Sequence, residues 1–145
     1  MRALAFLLFL SLALPFSSHA DIKGKKKPAP EKKKATIMNT YWRLSEMDGK
    51  PVADGSQNNT PYIYLQDKKS QLLGHTGCNN IGGEFAIGKY NYIGFEPVYT
   101  EMACEGVTTE GYILTALKGA NRYAINGKNL LLYNDNLLLA VFEAK

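Results

Sequence analysis

From Thr40 onward, apolar stretches are short and turn residues interrupt them repeatedly; that punctuation restricts most of the chain to short strands. Tyr41 to Met47 alternates, with Tyr41, Arg43, Ser45 and Met47 on one side and Trp42, Leu44 and Glu46 on the other, until Asp48-Gly49-Lys50-Pro51 stops it. A polar loop through Asn58-Asn59-Thr60-Pro61 leads into Tyr62 to Gln66, where Ile63 and Leu65 alternate with Tyr62 and Tyr64. Asp67 to Ser70 turn the chain into a strand at Gln71 to Gly74, and Glu84 to Ile87 and Tyr90 to Phe95 read as a hairpin around Gly88-Lys89. Arg122 to Ile125, Asn129 to Tyr133 and Leu137 to Phe142 form a closing meander. Its turns are Asn126-Gly127 and Asn134-Asp135-Asn136, and Asn-Gly suits a two-residue hairpin turn that needs positive φ.

One segment has helical spacing. Thr108 or Thr109 can cap it, Glu110 suits the positive end of the helix dipole, and Ile113, Leu114 and Leu117 recur up to Gly119. About ten residues of helix are marginal alone, so this one must pack on the sheet. The expectation is an α+β domain over residues 37–145: a curled antiparallel β-sheet, a partial barrel, of about seven or eight short strands packed with one α-helix.

The first 36 residues have a different composition. Residues 1–20 carry Arg2, an apolar run from Ala3 to Leu14 broken by Ser11, then Pro15 and small residues at Ser18 and Ala20, the pattern of a signal peptide cleaved after Ala20. The run is shorter than the roughly 20 residues a bilayer span needs. The segment holds no lipidation cysteine, so the expected location is exported and, in a diderm bacterium, periplasmic and soluble. Residues 21–36 hold Lys23, Lys25, Lys26, Lys27, Lys32, Lys33 and Lys34 with two prolines, a composition that cannot bury enough surface to fold and reads as a disordered linker. It is either a solubilising spacer or a tether to anionic lipid or another polyanionic surface.

This segment also explains the formal charge of +4, because beyond position 36 nine basic residues face eleven acidic ones, a formal −2. A nucleic-acid-binding domain carries its basic residues on the fold itself, so nucleic acid is not an expected partner.

Two cysteines, Cys78 and Cys104, in a chain bound for an oxidising compartment pair by default. Closing their loop would stabilise the fold by about 3.5 kcal/mol on the chain-entropy argument. The competing reading is a copper site built from His75, Cys78, Met102 and Cys104, whose imidazole, thiolate and thioether donors suit that metal.

Catalytic signals are sparse. His75 is the one histidine left after cleavage, the acids lie scattered through turns and strand ends, and no GxxxxGK[ST] phosphate cradle occurs. Asn80-Ile81-Gly82-Gly83 reads as a turn. A hydrolase would need two carboxylates meeting across the sheet in a cleft. Asn58-Asn59-Thr60 matches a glycosylation sequon that matters only in a eukaryotic secretory pathway. Tyr62 with Tyr64, and Tyr90 with Tyr92, each fall on one face of an expected strand, where they serve either packing or contact with a partner.

The Trp-bearing first strand, Gly74-His75-Thr76-Gly77-Cys78-Asn79, Gly83 with Phe85 two residues on, and Thr100-Glu101-Met102-Ala103-Cys104 together resemble the META domain of HslJ-type heat-shock proteins. Glu110 and the Leu130-Leu131-Leu132 strand match the early helical acid and closing strands of that family, and the resemblance covers about residues 38–143. It implies an envelope or secreted protein associated with heat shock or antibiotic resistance, with no agreed catalytic activity. The lysine-rich segment and the missing lipidation cysteine set this chain apart from lipoprotein members.

The motif residues also have structural uses. Gly77 allows close backbone approach, Asn79 can hydrogen-bond nearby backbone in a turn, Gly83 can take positive φ where the chain reverses, and Thr100 can hold the segment before Cys104. The resulting expectation is a non-enzymatic protein without a cofactor, acting through an envelope partner or small ligand in stress tolerance.

Overall fold

The structure is a computed structural model that describes residues 35–52, 60–107 and 109–145. The expected signal peptide, the expected linker through Lys34, Asn58 and Asn59 of the sequon, and Thr108 lie outside the described residues.

The strands are β1 (Tyr41–Met47), β2 (Lys50–Pro51), β3 (Tyr62–Gln66), β4 (Gln71–His75), β5 (Asn80–Ile87), β6 (Ile93–Tyr99), β7 (Arg122–Asn126), β8 (Asn129–Asn134) and β9 (Leu137–Ala144). A single α-helix among the described residues, α1 (Thr109–Gly119), separates β6 from β7. All pairings are antiparallel, in the order β6-β5-β4-β3-β1-β9-β8-β7, with β2 added to β1. The sheet curls until its two end strands approach one another: Tyr92 bridges to Arg122, and the Ile93 N–H donates to the Asn121 carbonyl at 3.2 Å. This is the expected α+β partial barrel.

Period-two patterning decides which side chains the curl encloses. Trp42 and Leu44 of β1, Ile63 and Leu65 of β3, Leu72 of β4, Ile93 of β6, Leu130 and Leu132 of β8 and Phe142 of β9 are fully buried. Against them α1 sets Ile113, Leu114, Ala116 and Leu117, so the short helix gains from packing what it lacks in length. Trp42 keeps its indole N–H satisfied by donating to the Ile37 carbonyl at 2.9 Å. The Tyr112 hydroxyl donates to the Leu139 carbonyl and accepts from the Asp48 N–H at 2.9 Å, tying α1 to β9 and to the β1–β2 turn.

Three expectations need correcting. Asn80-Ile81-Gly82-Gly83 is strand, the first half of β5, paired with Pro97 to Tyr99 of β6. Gly83 does take positive φ, +123°, but inside the strand and not at a reversal, because β5 and β6 approach so closely that a Cβ there would collide with the Glu96 carbonyl oxygen.

The second correction concerns the strand from Tyr90, which begins at Ile93 and runs to Tyr99. The β5–β6 connection is wider than a two-residue turn: Lys89–Asn91 form a 3-10 turn with positive φ at Tyr90 and Asn91. Tyr90 and Tyr92 therefore do not share a strand face; Tyr90 projects from the loop, 95 % exposed.

Third, the chain after Asp48-Gly49 does not simply stop but doubles back as β2. Asp48 and Gly49 both have positive φ, the backbone of a tight two-residue hairpin.

Candidate functional site

The motif segments converge at one end of the sheet. The Gly77 φ of +99° bends the chain between β4 and β5, so that Thr76 and Asn79 turn inward and are both fully buried. A buried side-chain amide must find partners for its donors and its acceptor. The Asn79 Oδ1 accepts from the Thr100 hydroxyl at 2.7 Å and the Met102 N–H at 2.8 Å, while its Nδ2 donates to the Met102 carbonyl and to Glu110 Oε2, both at 2.9 Å. Residues 100–105 belong to neither strand nor helix, and Asn79 supplies Met102 with the backbone partners that such structure would have provided.

Thr76 completes the arrangement. Its hydroxyl donates to Glu110 Oε2 at 2.7 Å and accepts from the N–H groups of Cys78 and Asn79 at 3.1 and 2.8 Å. The Thr109 hydroxyl donates to the Thr76 carbonyl at 2.7 Å, which fastens the start of α1 to the β4–β5 turn. Asn79 and Thr76 both donate to the Glu110 carboxylate, and these bonds hold its pKa below the ordinary 4.5 against the opposing effect of desolvation.

Cys78 and Cys104 form a disulfide with a Cα–Cα distance of 5.9 Å across a sequence separation of 26. Cys78 is buried and Cys104 exposed. In this oxidised state neither sulfur is a thiolate, so the copper arrangement of His75, Cys78, Met102 and Cys104 would require the reduced protein. The His75 Nδ1 accepts from the Gly77 N–H at 3.0 Å, and its ring stacks at 6.4 Å from that of Tyr62.

The remaining motif residues are structural neighbours. Gly74 is buried in β4, where a Cβ would press on the Tyr62 carbonyl oxygen; Phe85 packs in the core; Ala103 is exposed beside Cys104. Two roles differ from the sequence expectation. Asn79 bonds to residues 21 to 31 positions away instead of local turn backbone, because the disulfide brings residues 100–104 against it. Thr76 and Glu110 are joint members of this network, although a hydroxyl two residues before a cysteine and an acid in the first helical turn carry no sequence signal of their pairing.

Beside the disulfide opens a cleft of about 340 Å³ whose walls include Tyr99, Met102, Val107 and Leu114, with Glu110 and Gly111 of α1 along one side. A second cleft of about 310 Å³ is lined in part by Glu84 and Glu96, direct cross-strand partners on β5 and β6. This is a meeting of two carboxylates across the sheet, the pairing that a hydrolase would need, and both are exposed. Tyr62 and Tyr64 do share the outer face of β3, and Tyr41 stacks on Tyr62 with ring centroids 4.3 Å apart. Among the described residues no group of three His, Cys, Asp or Glu side chains is placed to hold a metal ion, and no helix is long and apolar enough to cross a membrane.

A half-barrel whose β4–β5 turn is joined by a disulfide to the loop before the helix, and by an Asn–Thr–Glu hydrogen-bond network to the helix itself, defines a small class of domain. The META domain family model matches residues 35–145, and the chain belongs to that family. Two solved structures share the fold. One, described as the NMR structure of the protein from Burkholderia xenovorans, is 26% identical with a TM-score of 0.60, over 75% of this chain and 83% of that one. The other, described as the NMR structure of the protein, is 21% identical with a TM-score of 0.59, over 75% of this chain and 94% of that one, and bears on the fold alone. No curated protein matches the chain.

Proposed function

We propose that this META-domain protein is exported and acts without catalysis, by binding an envelope component in tolerance of heat or antibiotic stress. What carries the reading is how the motif is used: Thr76, Asn79, Thr100 and Glu110 bond one another and the Met102 backbone, an arrangement that holds a surface in shape. The disulfide agrees with an oxidising compartment, and the composition of residues 1–20 with export.

The test is paired. The intact mass of protein taken from the periplasm should equal residues 21–145 less two hydrogens, and a strain lacking the gene should survive heat or an envelope-directed antibiotic less well than its complemented parent. An unprocessed chain, or equal survival under both stresses, overturns the reading.

The lysine-rich segment is proposed as the tether of this protein to anionic surfaces, at about 1 kcal/mol per lysine near such a surface at modest salt. The mature chain should co-float with vesicles containing phosphatidylglycerol and detach as salt rises. Equal flotation by a chain lacking residues 21–36 would refute the tether.

A further inference from the structure

The cleft beside the disulfide has a chemical character that the binding reading leaves unspecified. Four of its lining side chains, Tyr99, Met102, Val107 and Leu114, offer apolar surface, and two of these, Tyr99 and Met102, are 39 % and 57 % exposed, large side chains that a folded domain ordinarily covers. A flexible, polarisable methionine suits such a wall because it can adapt to differently shaped occupants. Along the edge of this apolar surface lies the Glu110 carboxylate. The side chains of Thr76 and Asn79 both donate to one oxygen, Oε2, so the group is oriented. Among the described residues no lysine or arginine pairs with Glu110, and the adjoining loop adds Glu101 and Glu105, both exposed. Tyr99 already has an ammonium over its ring: the Lys118 Nζ lies 5.6 Å from the centroid.

We propose that this cleft binds a small amphiphilic organic cation, its ammonium head at Glu110 and its apolar body against Tyr99, Met102, Val107 and Leu114. The proposal rests on the binding reading above and names its ligand class. The volume of about 340 Å³ lies at the small end of the range for small-molecule sites and suits a single ring or short alkyl chain. Charge decides among ligands of that size. An anion would meet the Glu110 carboxylate, whereas a neutral molecule would gain only the walls and leave that oriented carboxylate unmatched.

Gly111 provides the decisive variant. A Cβ added there meets nothing within 4 Å, so Gly111→Leu should extend into the cleft without disturbing the fold, and replacing a helical glycine favours the helix. Glu110→Gln retains an oxygen for Thr76 and Asn79 to bond and removes the charge.

The probe is 2-phenylethylammonium, with 2-phenylethanol and 3-phenylpropionate as neutral and anionic controls, titrated into the isotopically labelled full chain and followed by amide NMR shifts. The ammonium should shift Met102, Glu110 and Gly111 with roughly millimolar affinity, at least about tenfold tighter than either control. Glu110→Gln should remove that preference and Gly111→Leu should abolish the shifts, both with otherwise unchanged spectra. The proposal is overturned if 2-phenylethanol binds equally well, if the shifts fall elsewhere, or if Gly111→Leu binds as the parent does. Any of these removes the ligand class while the envelope reading, scored by survival, stands.

Discussion

The two ends of the domain are held by different means. The closing meander of β7, β8 and β9 joins strands separated by tight turns, with Gly127 and Asp135 at positive φ, so its β7–β8 and β8–β9 pairings link residues close in the chain. The motif end is held by contacts between residues 21 to 34 positions apart: one disulfide and the hydrogen bonds of Asn79, Thr76 and Glu110. Residues 101–106 of that end are exposed, so little apolar burial supports them. The contrast teaches that one small fold can combine a half whose strand pairings are coded by local turns with a half whose shape depends on a few long-range links.

Cutting the covalent link should separate the halves most strongly. Replacing both cysteines by alanine, or reducing the protein, should lower unfolding stability by about 3.5 kcal/mol. Hydrogen exchange should quicken at residues 100–107 and the start of α1 well before the β7–β9 amides. If the meander lost protection first, or both ends opened together, the comparison would fail.

Removing the buried amide comes next. Asn79→Ala leaves the Met102 N–H and carbonyl without their partners and withdraws a donor from Glu110, at a cost of about 2–4 kcal/mol by urea unfolding. Because Asn79 and the disulfide hold the same segment, their effects should not add. In a double-mutant cycle the Asn79→Ala penalty should shrink in the cysteine-free background, and strict additivity would show that the two act on separate parts of the fold.

How much of this was legible in the sequence follows the same division. The meander strands, the β1 alternation around Trp42 and Leu44, and the helix to Gly119 could be read because turn chemistry and side-chain period are local signals. Gly83 misled the reading, since a glycine at positive φ marks a turn or a close backbone approach equally well, and here only the distance to Glu96 distinguishes them. Tyr90 misled it for another reason: an exposed aromatic at positive φ looks, in sequence, like any strand residue. The cysteine pair followed from number and compartment, and the family from the order of the motifs. The Asn79–Thr76–Glu110 arrangement was not legible, because side-chain hydrogen bonds across 31 and 34 residues have no periodicity to betray them.

The smallest effect sharpens the comparison by giving the motif end a pH dependence. Hydrogen bonds from Asn79 and Thr76 depress the Glu110 pKa in the folded state, so the ionised carboxylate stabilises that state relative to the unfolded chain. That contribution is complete above the ordinary value near 4.5 and is lost as pH falls through the lower folded value. Glu110→Gln should therefore cost about 1 kcal/mol at pH 7, a modest figure because solvent screens a half-buried group. The difference from the parent should close as the pH approaches 3. The Glu143 pKa is also depressed, chiefly by Lys128 with help from Arg43 and Lys145, so acid weakens the parent at the β1–β9 pairing too. Only the Glu110 share disappears in the variant. A gap between parent and Glu110→Gln that stayed constant from pH 7 to pH 3 would mean that Thr76 and Asn79 hold the protonated acid as well as the carboxylate. The staple would then owe its strength to shape and the disulfide, with no part due to charge.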